Sequence, residues 1–186
     1  MRGADSGAEL LERTAAKIKA AKSLSVDFSM NSDGHLMHGK LTLAGKCFTL
    51  VSPEARSWYD GKTQWTYSGH MGEVNITEPT EGELSQVNPF EIVKSFNRDY
   101  TSKTIKSPSG TKAVRLTAKD KTQDISQATV TVNDTTGYPS EIDFTLSNGQ
   151  KITVKILDIK EGGPLKLSRF RFYPGDYPGV RVVDLR

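Results

Sequence analysis

Alternation of apolar and polar residues is the feature that most limits how this chain can fold. The first such stretch runs from Leu24 to Met30, and the same two-residue period returns along most of the chain that follows. Successive side chains of a strand point to opposite faces, so this period predicts strands that are buried on one face only. Strands of this kind are typical of antiparallel sheets, and the recurring helices that a parallel sheet needs are absent from the pattern.

Turn signals divide the alternating stretches into roughly ten to twelve short strands. Asp60-Gly61 and Asn148-Gly149 are dipeptides preferred in two-residue type I′ turns, and Asp33-Gly34 marks another turn. The phase of the alternation slips at Leu157, which predicts a β-bulge. Alternation over residues 169–172 indicates a late strand. The pattern as a whole predicts a mainly β chain built from hairpins.

Short helices interrupt this pattern. Ser6 to Glu9 forms a capping box with Ser6 as the N-cap, and apolar residues follow at helical spacing from Leu10 to Ala21. Another helix is predicted to begin at Asn88, which suits the N-cap position and is followed by a proline. This second helix is unusually hydrophobic for its length, so we expect it to cover apolar surface.

Composition excludes several classes of protein. The 186 residues favour one domain over 1–186, with residues 1–5 as a tail of the mature chain. The net charge is only +3, which argues against a nucleic-acid binder. A single cysteine excludes an intramolecular disulfide and a cysteine-cluster metal site. No apolar run approaches the ~18 residues that a membrane span needs, so we expect a chain that does not span a membrane.

Catalytic motifs are also missing from the sequence. There is no nucleophile elbow, no Walker loop and no dinucleotide-binding glycine motif. His35 and His38 are badly spaced for ligands on a strand, and a third ligand is not evident, so we predict surface histidines and no metal. Cys47 is interpreted as a buried, inert thiol. We predict a non-enzymatic protein without a cofactor; a lipid hydrolase using one of the three histidines stays open as an alternative.

The apolar residues on one face of the predicted sheet are the most informative set. An ordinary core is the simpler interpretation, but a large curved sheet covered only by short helices also leaves room for an apolar ligand. The side chains predicted to line this interior are Phe28, Met30, Leu41, Leu43, Phe48, Leu50, Trp65, Tyr67, Phe144 and Leu146.

Several short motifs follow one another in a recognisable order between about Leu10 and Leu185. The most specific is Asp60-Gly-Lys-x-x-Trp-x-Tyr67, and Gly39-Lys-Leu-Thr-Leu43 precedes it. Asn88-Pro-Phe90 and a terminal Val-Val-Asp-Leu complete the series. In this order the chain resembles the outer-membrane lipoprotein carrier family (LolA-like).

The resemblance implies a fold and a function. The fold is mainly β with short α-helices: a curved, incompletely closed antiparallel β-barrel, or half-barrel, with a helical lid over an apolar cavity. The function is that of a monomeric periplasmic carrier, made with a signal peptide that this chain lacks. It shields the acyl chains of a lipoprotein, or another lipid, between an inner-membrane lipoprotein-releasing transporter and an outer-membrane acceptor. The alternative is a non-enzymatic regulatory module on the same fold that senses envelope lipids or peptides.

The resemblance also implies residue roles in the lid. The helix after Asn88 corresponds to the lid, so Phe90, Val93 and Phe96 are expected to face the cavity. In the family an arginine, followed by proline, comes just after the glycine-containing strand and holds the lid closed. This sequence has Ala44-Gly45-Lys46 there, which makes Lys46 the candidate for the latch. Phe90 is the corresponding candidate on the lid helix. A lysine lacks the planar fork of arginine donors, so we expect weaker latching.

Overall fold

Twelve strands form one open sheet in a computed structural model that describes residues 3–186, with side chains described from Gly7 onward. The alternating stretches of the sequence account for nearly all of these strands. The strands are β1 (Ser23–Ser32), β2 (His35–Ala44), β3 (Cys47–Val51), β4 (Ala55–Tyr59), β5 (Gln64–Ser68), β6 (Glu73–Thr77), β7 (Tyr100–Ile105), β8 (Thr111–Ala118), β9 (Ile125–Asn133), β10 (Pro139–Leu146), β11 (Lys151–Gly162) and β12 (Arg181–Asp184).

The order of strands across the sheet is β12-β6-β5-β4-β3-β2-β1-β11-β10-β9-β8-β7. All neighbours are antiparallel except β12, which pairs in parallel with β6. The edge strands β7 and β12 do not close on each other. The predicted half-barrel is therefore confirmed.

Three helices cover one face of this sheet, which we call the inner face. They are α1 (Gly3–Ala20), α2 (Glu81–Val87) and α3 (Glu91–Asp99). Leu11, Ala15 and Ile18 of α1 lie in one buried apolar cluster with side chains of α2, α3 and most strands. α1 packs on β7 and β8 and against α3. The opposite, outer face is free of these helices.

Both predicted helix starts differ from the structure. α1 begins at Gly3, three residues before the predicted N-cap Ser6, whose side chain lies outside the described part. α3 begins at Glu91, and Asn88 is instead the C-cap of α2. Asn88 Oδ1 accepts a hydrogen bond from the Phe90 amide at 3.1 Å, so its side chain supports the turn between the two helices rather than the first turn of α3.

The hairpin turns also correct the sequence interpretation. Asp33 and Gly34 both have positive φ, 52° and 82°, as a type I′ turn requires. At Asp60-Gly61 and Asn148-Gly149 only the glycine has positive φ, so the type I′ prediction is wrong at both places. At the first, Asp60 Oδ1 accepts hydrogen bonds from the amides of Lys62 and Thr63, which stabilises a four-residue loop instead.

The β-bulge and the C-terminal segment complete the fold. Asp27 pairs with Asp158 but Phe28 pairs with Ile156, so Leu157 is the extra residue and the predicted bulge is confirmed. The late strand predicted over 169–172 is wrong. That stretch starts within a 3₁₀ turn, Leu167–Phe170, which packs on β3. We call residues 164–186 the C-terminal segment.

Candidate functional site

The inner face is apolar through most of the sheet. In β1 and β2, Leu24 pairs with Leu43 and Val26 with Leu41, and all four side chains are buried. Most of the side chains predicted to line the interior meet in this core: Phe28, Leu41, Leu43, Phe48, Phe90, Val93, Phe96, Phe144 and Leu146, with Met30 and Leu50 partly buried against them. Their role as ligand contacts stays a prediction.

Gly39 explains how the ring of Phe28 fits into this core. Gly39 is the cross-strand partner of Phe28, and a Cβ at this glycine would lie 2.7 Å from Phe28 Cζ. Real Cβ atoms do not approach a ring carbon so closely, so the ring occupies the space that a side chain at position 39 would need. The glycine of the Gly-Lys-Leu-Thr-Leu motif is thus a packing requirement of the inner face.

Two of the predicted lining residues lie on the other side of the sheet. Trp65 pairs with Trp58, and Trp58 pairs with Thr49 on the face opposite Phe48. Tyr67 shares the face of Trp65 because it lies two residues further along β5. The prediction that Trp65 and Tyr67 line the interior is therefore wrong, because the strand register turns them outward.

The outward side chains of Trp58 and Tyr67 form a cluster with Phe172 and Tyr177 of the C-terminal segment, which we call the outer aromatic cluster. The Tyr177 ring lies 4.5 Å from the Tyr67 ring and 5.2 Å from the Phe172 ring, between centroids. Trp58 meets the Phe172 ring edge to face at 5.3 Å. Arg56 Nη1 donates a hydrogen bond to the Tyr177 hydroxyl at 3.3 Å. The cluster thus attaches the C-terminal segment to β4 and β5.

The inner face of β4 and β5 is correspondingly polar. Ser57 pairs with Thr66, and Ser57 Oγ donates a hydrogen bond to Thr66 Oγ1 at 3.3 Å. Gln64, also on this face, is 7% exposed. Tyr59 is the aromatic residue of β4 that faces inward, with its ring 5.3 Å from the ring of Phe48. The apolar interior therefore ends at β4.

A cleft of about 250 Å³ opens where the end of α1, the β2–β3 turn and α3 meet. This volume is slightly below the ~300–1,000 Å³ common for small-molecule pockets, because α3 and the core side chains occupy the rest of the interior. We call it the mouth cleft. Its lining residues are Ile18, Lys19, Ala21, Leu24, Leu43, Gly45, Lys46 and Lys94.

A lysine of α3 bridges the mouth cleft. Lys94 Nζ donates a hydrogen bond to the Gly45 carbonyl at 3.3 Å and lies 3.6 Å from Glu91 Oε2. Lys46, the predicted latch, is exposed, and no group among residues 7–186 accepts a hydrogen bond from its ammonium. The contact across the cleft is thus made by a donor on the helix and an acceptor on the sheet, the reverse of the arrangement that the resemblance implies.

The helix that carries Lys94 is inserted deeply. Phe90 and Val93 are fully buried, and Ile92 and Phe96 are nearly so. At the surface, Arg98 of α3 forms an ion pair with Glu81 of α2 and another with its own neighbour Asp99. We call these two helices, which are linked by residues 88–90 and by the Arg98–Glu81 ion pair, the α2–α3 unit.

The Cys47 thiol, which follows the β2–β3 turn at the cleft, has a shifted pKa. Burial raises the pKa of the Cys47 thiol, and the nearby Asp60 carboxylate raises it further. His35 lies at the other end of β2, away from the cleft, where its exposed Nε2 is 3.8 Å from Glu54 Oε1. Within the described part of the chain, no three His, Cys, Asp or Glu side chains are placed to hold a metal ion.

Two features of the site were missed by the sequence interpretation. Helix α2 was overlooked, although Thr80 and Glu83 form a full capping box: Thr80 Oγ1 accepts from the Glu83 amide, and Glu83 Oε1 accepts from the Thr80 amide. The Thr-x-x-Glu spacing of a capping box can be recognised in the sequence and predicts a helix start at Thr80. Lys94 gave no signal of its own, because only tertiary contact brings it to Gly45.

Comparison with known families gives one match. The family model described as "Outer membrane lipoprotein carrier protein LolA" matches residues 2–150. No curated protein matches. Across the described residues, no helix combines the length and the apolar character needed to cross a membrane.

Solved structures share the fold at low sequence identity. An uncharacterized conserved protein from Thermus thermophilus superposes with a TM-score of 0.64 and 11% identity, over 96% of this chain and 99% of that one. A proposed outer membrane lipoprotein-sorting protein domain from Vibrio parahaemolyticus superposes with a TM-score of 0.55 and 11% identity, over 90% of this chain and 97% of that one. A DUF1329 family protein from Desulfovibrio piger superposes with a TM-score of 0.55 and 11% identity, over 91% of this chain and 97% of that one.

Proposed function

We propose that this chain, which belongs to the outer membrane lipoprotein carrier (LolA) family, carries acylated lipoproteins or related lipids across the periplasm. One observation carries the proposal: an open sheet with an apolar inner face is covered by short helices rather than by a second sheet. The family match supports acylated lipoproteins and related lipids as the class of ligand that such a face receives. No catalytic group is needed for this function.

The energetics of acyl chains fit a carrier of this kind. Exposing an acyl chain to water costs about 0.8 kcal/mol per CH₂, so a long chain needs shielding worth on the order of 10 kcal/mol. A carrier must offset most of this cost and still release its cargo. Contact with an apolar sheet supplies the shielding without directional bonds, so release of the acyl chain itself needs no specific bond to be broken.

Entry of a long chain requires the α2–α3 unit to move. Phe90, Val93 and Phe96 occupy the inner face, and the mouth cleft offers only about 250 Å³. Moving the unit outward breaks the Lys94–Gly45 hydrogen bond and exposes these side chains, and bound acyl chains replace the lost apolar contacts. The lid predicted from the sequence is thus assigned to α2 and α3 together.

A release assay tests the carrier function. Membranes bearing a triacylated lipoprotein and its releasing transporter are incubated with the purified chain, and soluble complexes are isolated by size exclusion. We expect a soluble one-to-one complex with the acylated lipoprotein and none with its unacylated Cys→Ser variant. Equal recovery of both forms, or of neither, would refute the proposal.

A second step of the assay distinguishes a carrier from a regulatory module on the same fold. A carrier passes its cargo to outer-membrane acceptors, so acylated lipoprotein should move from the complex to outer-membrane vesicles. A chain that binds acylated lipoprotein but retains it in the presence of such vesicles would instead be a sensor. Mass spectrometry of material that co-purifies with the chain identifies the native ligand in either case.

A further inference from the structure

Three lysines surround the mouth cleft. Lys19 comes from the last turn of α1, Lys46 from the β2–β3 turn and Lys94 from α3. These elements are separate in sequence, so only the fold brings the three ammonium groups to one opening. The stabilisation of a helix C-terminus by nearby cations accounts for Lys19 alone.

The positive charge around the cleft is only partly neutralised. Lys94 has Glu91 at 3.6 Å, but Lys19 and Lys46 form no ion pair with any carboxylate of residues 7–186. Asp60, another acid close to the cleft, accepts hydrogen bonds from two backbone amides and lies 3.4 Å from Arg171 Nε. Two ammonium groups at the opening are therefore available to an anion.

The floor of the same cleft is apolar. Ile18, Leu24 and Leu43 line it and belong to the buried core, and Ala21 lies beside them. A purely polar anion gains nothing from such a floor, whereas a neutral apolar molecule gains nothing from the lysines. An amphiphile satisfies both, because its chain covers the floor and its charged end stays at the rim among cations that remain hydrated.

We propose that the mouth cleft selects acyl ligands with an anionic headgroup, a phosphate or a carboxylate, and that Lys19, Lys46 and Lys94 bind that headgroup. The proposal rests on the proposed lipid-carrying function and names the class of ligand that the site prefers. An arriving headgroup competes with the Gly45 carbonyl for the Lys94 ammonium. Headgroup binding therefore weakens the contact that holds α3 against the sheet.

Calorimetric titration of the full chain with three lipids of equal chain length tests this preference. The lipids are palmitoyl lysophosphatidic acid, palmitate and monopalmitoylglycerol, each below its micelle concentration. We expect the two anionic lipids to bind at least about tenfold more tightly than the neutral one. The two anionic lipids distinguish a phosphate from a carboxylate headgroup, and inorganic phosphate alone serves as a probe without a chain.

Charge-neutral variants assign the preference to the lysines. The double variant Lys19→Gln/Lys46→Gln changes exposed side chains only, and we expect it to reduce the anionic-to-neutral affinity ratio to about threefold. Adding Lys94→Gln should bring the ratio close to one. The ratio within each variant is the readout, because a change in lid opening affects all three lipids alike. Lys103→Gln/Lys119→Gln removes two exposed charges elsewhere and should leave the ratio unchanged.

The outcomes separate this proposal from the carrier function. Equal binding of all three lipids, or loss of the preference in the Lys103/Lys119 control, overturns the headgroup site while the carrier function stands. Displacement of lysophosphatidic acid by equimolar inorganic phosphate overturns the headgroup site as well, because the acyl chain of the lipid would then contribute nothing to the affinity. Absence of binding by every lipid overturns the carrier function itself.

Discussion

The two parts of the sheet carry their large apolar side chains on opposite faces. From β8 to β3 across the sheet, apolar side chains point to α1, α2 and α3, as in the pair of Val26 and Leu41. In β4 and β5 the large side chains Trp58, Trp65 and Tyr67 point away from these helices, and Trp58 and Tyr67 contact the C-terminal segment. The change occurs within β4, where Trp58 faces outward and Tyr59 inward.

This inversion assigns different roles to the two sets of apolar residues. The inner set faces the helices that cover the proposed acyl site. The outer set binds the C-terminal segment, which adds β12 in parallel to β6 and so covers an edge that would otherwise be open to other strands. The difference shows that a large aromatic side chain in a strand of this fold does not indicate which side of the sheet the helices cover.

The largest expected effect lies on the inner face. Phe28→Ala should lower the free energy of unfolding by about 4 kcal/mol, because it leaves a cavity above Gly39 that the neighbouring strands cannot fill. Urea unfolding followed by far-UV circular dichroism measures the change. Leu36→Ala, also in the β1–β2 hairpin but 58% exposed, should cost less than about 0.5 kcal/mol. Similar losses in both variants would mean that Phe28 is not a core side chain.

The outer aromatic cluster should affect stability without affecting ligand binding. Phe172→Ala should lower the free energy of unfolding by about 3 kcal/mol, since the ring is 7% exposed and packs on Trp58. Affinity for a neutral acyl probe should stay within about twofold of the wild type. A tenfold loss of probe affinity would place the outer cluster in the ligand site and remove the functional distinction between the faces.

The turn beside the inversion gives a smaller effect. Gly61 has φ +100°, so Gly61→Val should cost more than about 1 kcal/mol through backbone strain. A Cβ at Gly61 is not crowded, because it meets only Lys46 Cβ, at 3.9 Å. Lys62→Val introduces the same side chain at the next position without positive φ and serves as the control. Melting curves that coincide for the Gly61 variant and the wild type would contradict the strain.

The smallest expected effect concerns the mouth cleft. Lys94→Met removes the hydrogen bond to Gly45, worth about 1 kcal/mol, and should raise the affinity for a neutral acyl probe about fivefold because α3 then opens more easily. Lys46→Ala should change this affinity less than about threefold. Fluorescence titration measures both. A change of tenfold or more for Lys46→Ala would show that Lys46, and not Lys94, holds the lid.

Much of the fold was readable because its signals are local. The strands, the bulge at Leu157 and the apolar helix over Phe90 to Phe96 all follow from side-chain spacing within a few residues. The type I′ assignment at Asp60-Gly61 was wrong because Asp60 uses its carboxylate to bind backbone amides, which a dipeptide rule does not consider. The start of α3 was misplaced because Asn88 serves the preceding helix, which the sequence interpretation had overlooked.

The sequence by itself determined that nearly every strand has one apolar and one polar face, and that these strands pair antiparallel; the parallel pairing of β12 with β6 was decided by the tertiary structure. Only the tertiary structure decided which face of each strand lies under the helices. Alternation with a period of two does not indicate which side of the sheet a residue faces. Trp65 and Phe48 satisfy the same pattern, yet the β3–β4–β5 register turns them to opposite sides. The side is decided by what covers each face. Helices α1 to α3 cover one side, and the C-terminal segment, more than a hundred residues further along the chain than β4, covers the other.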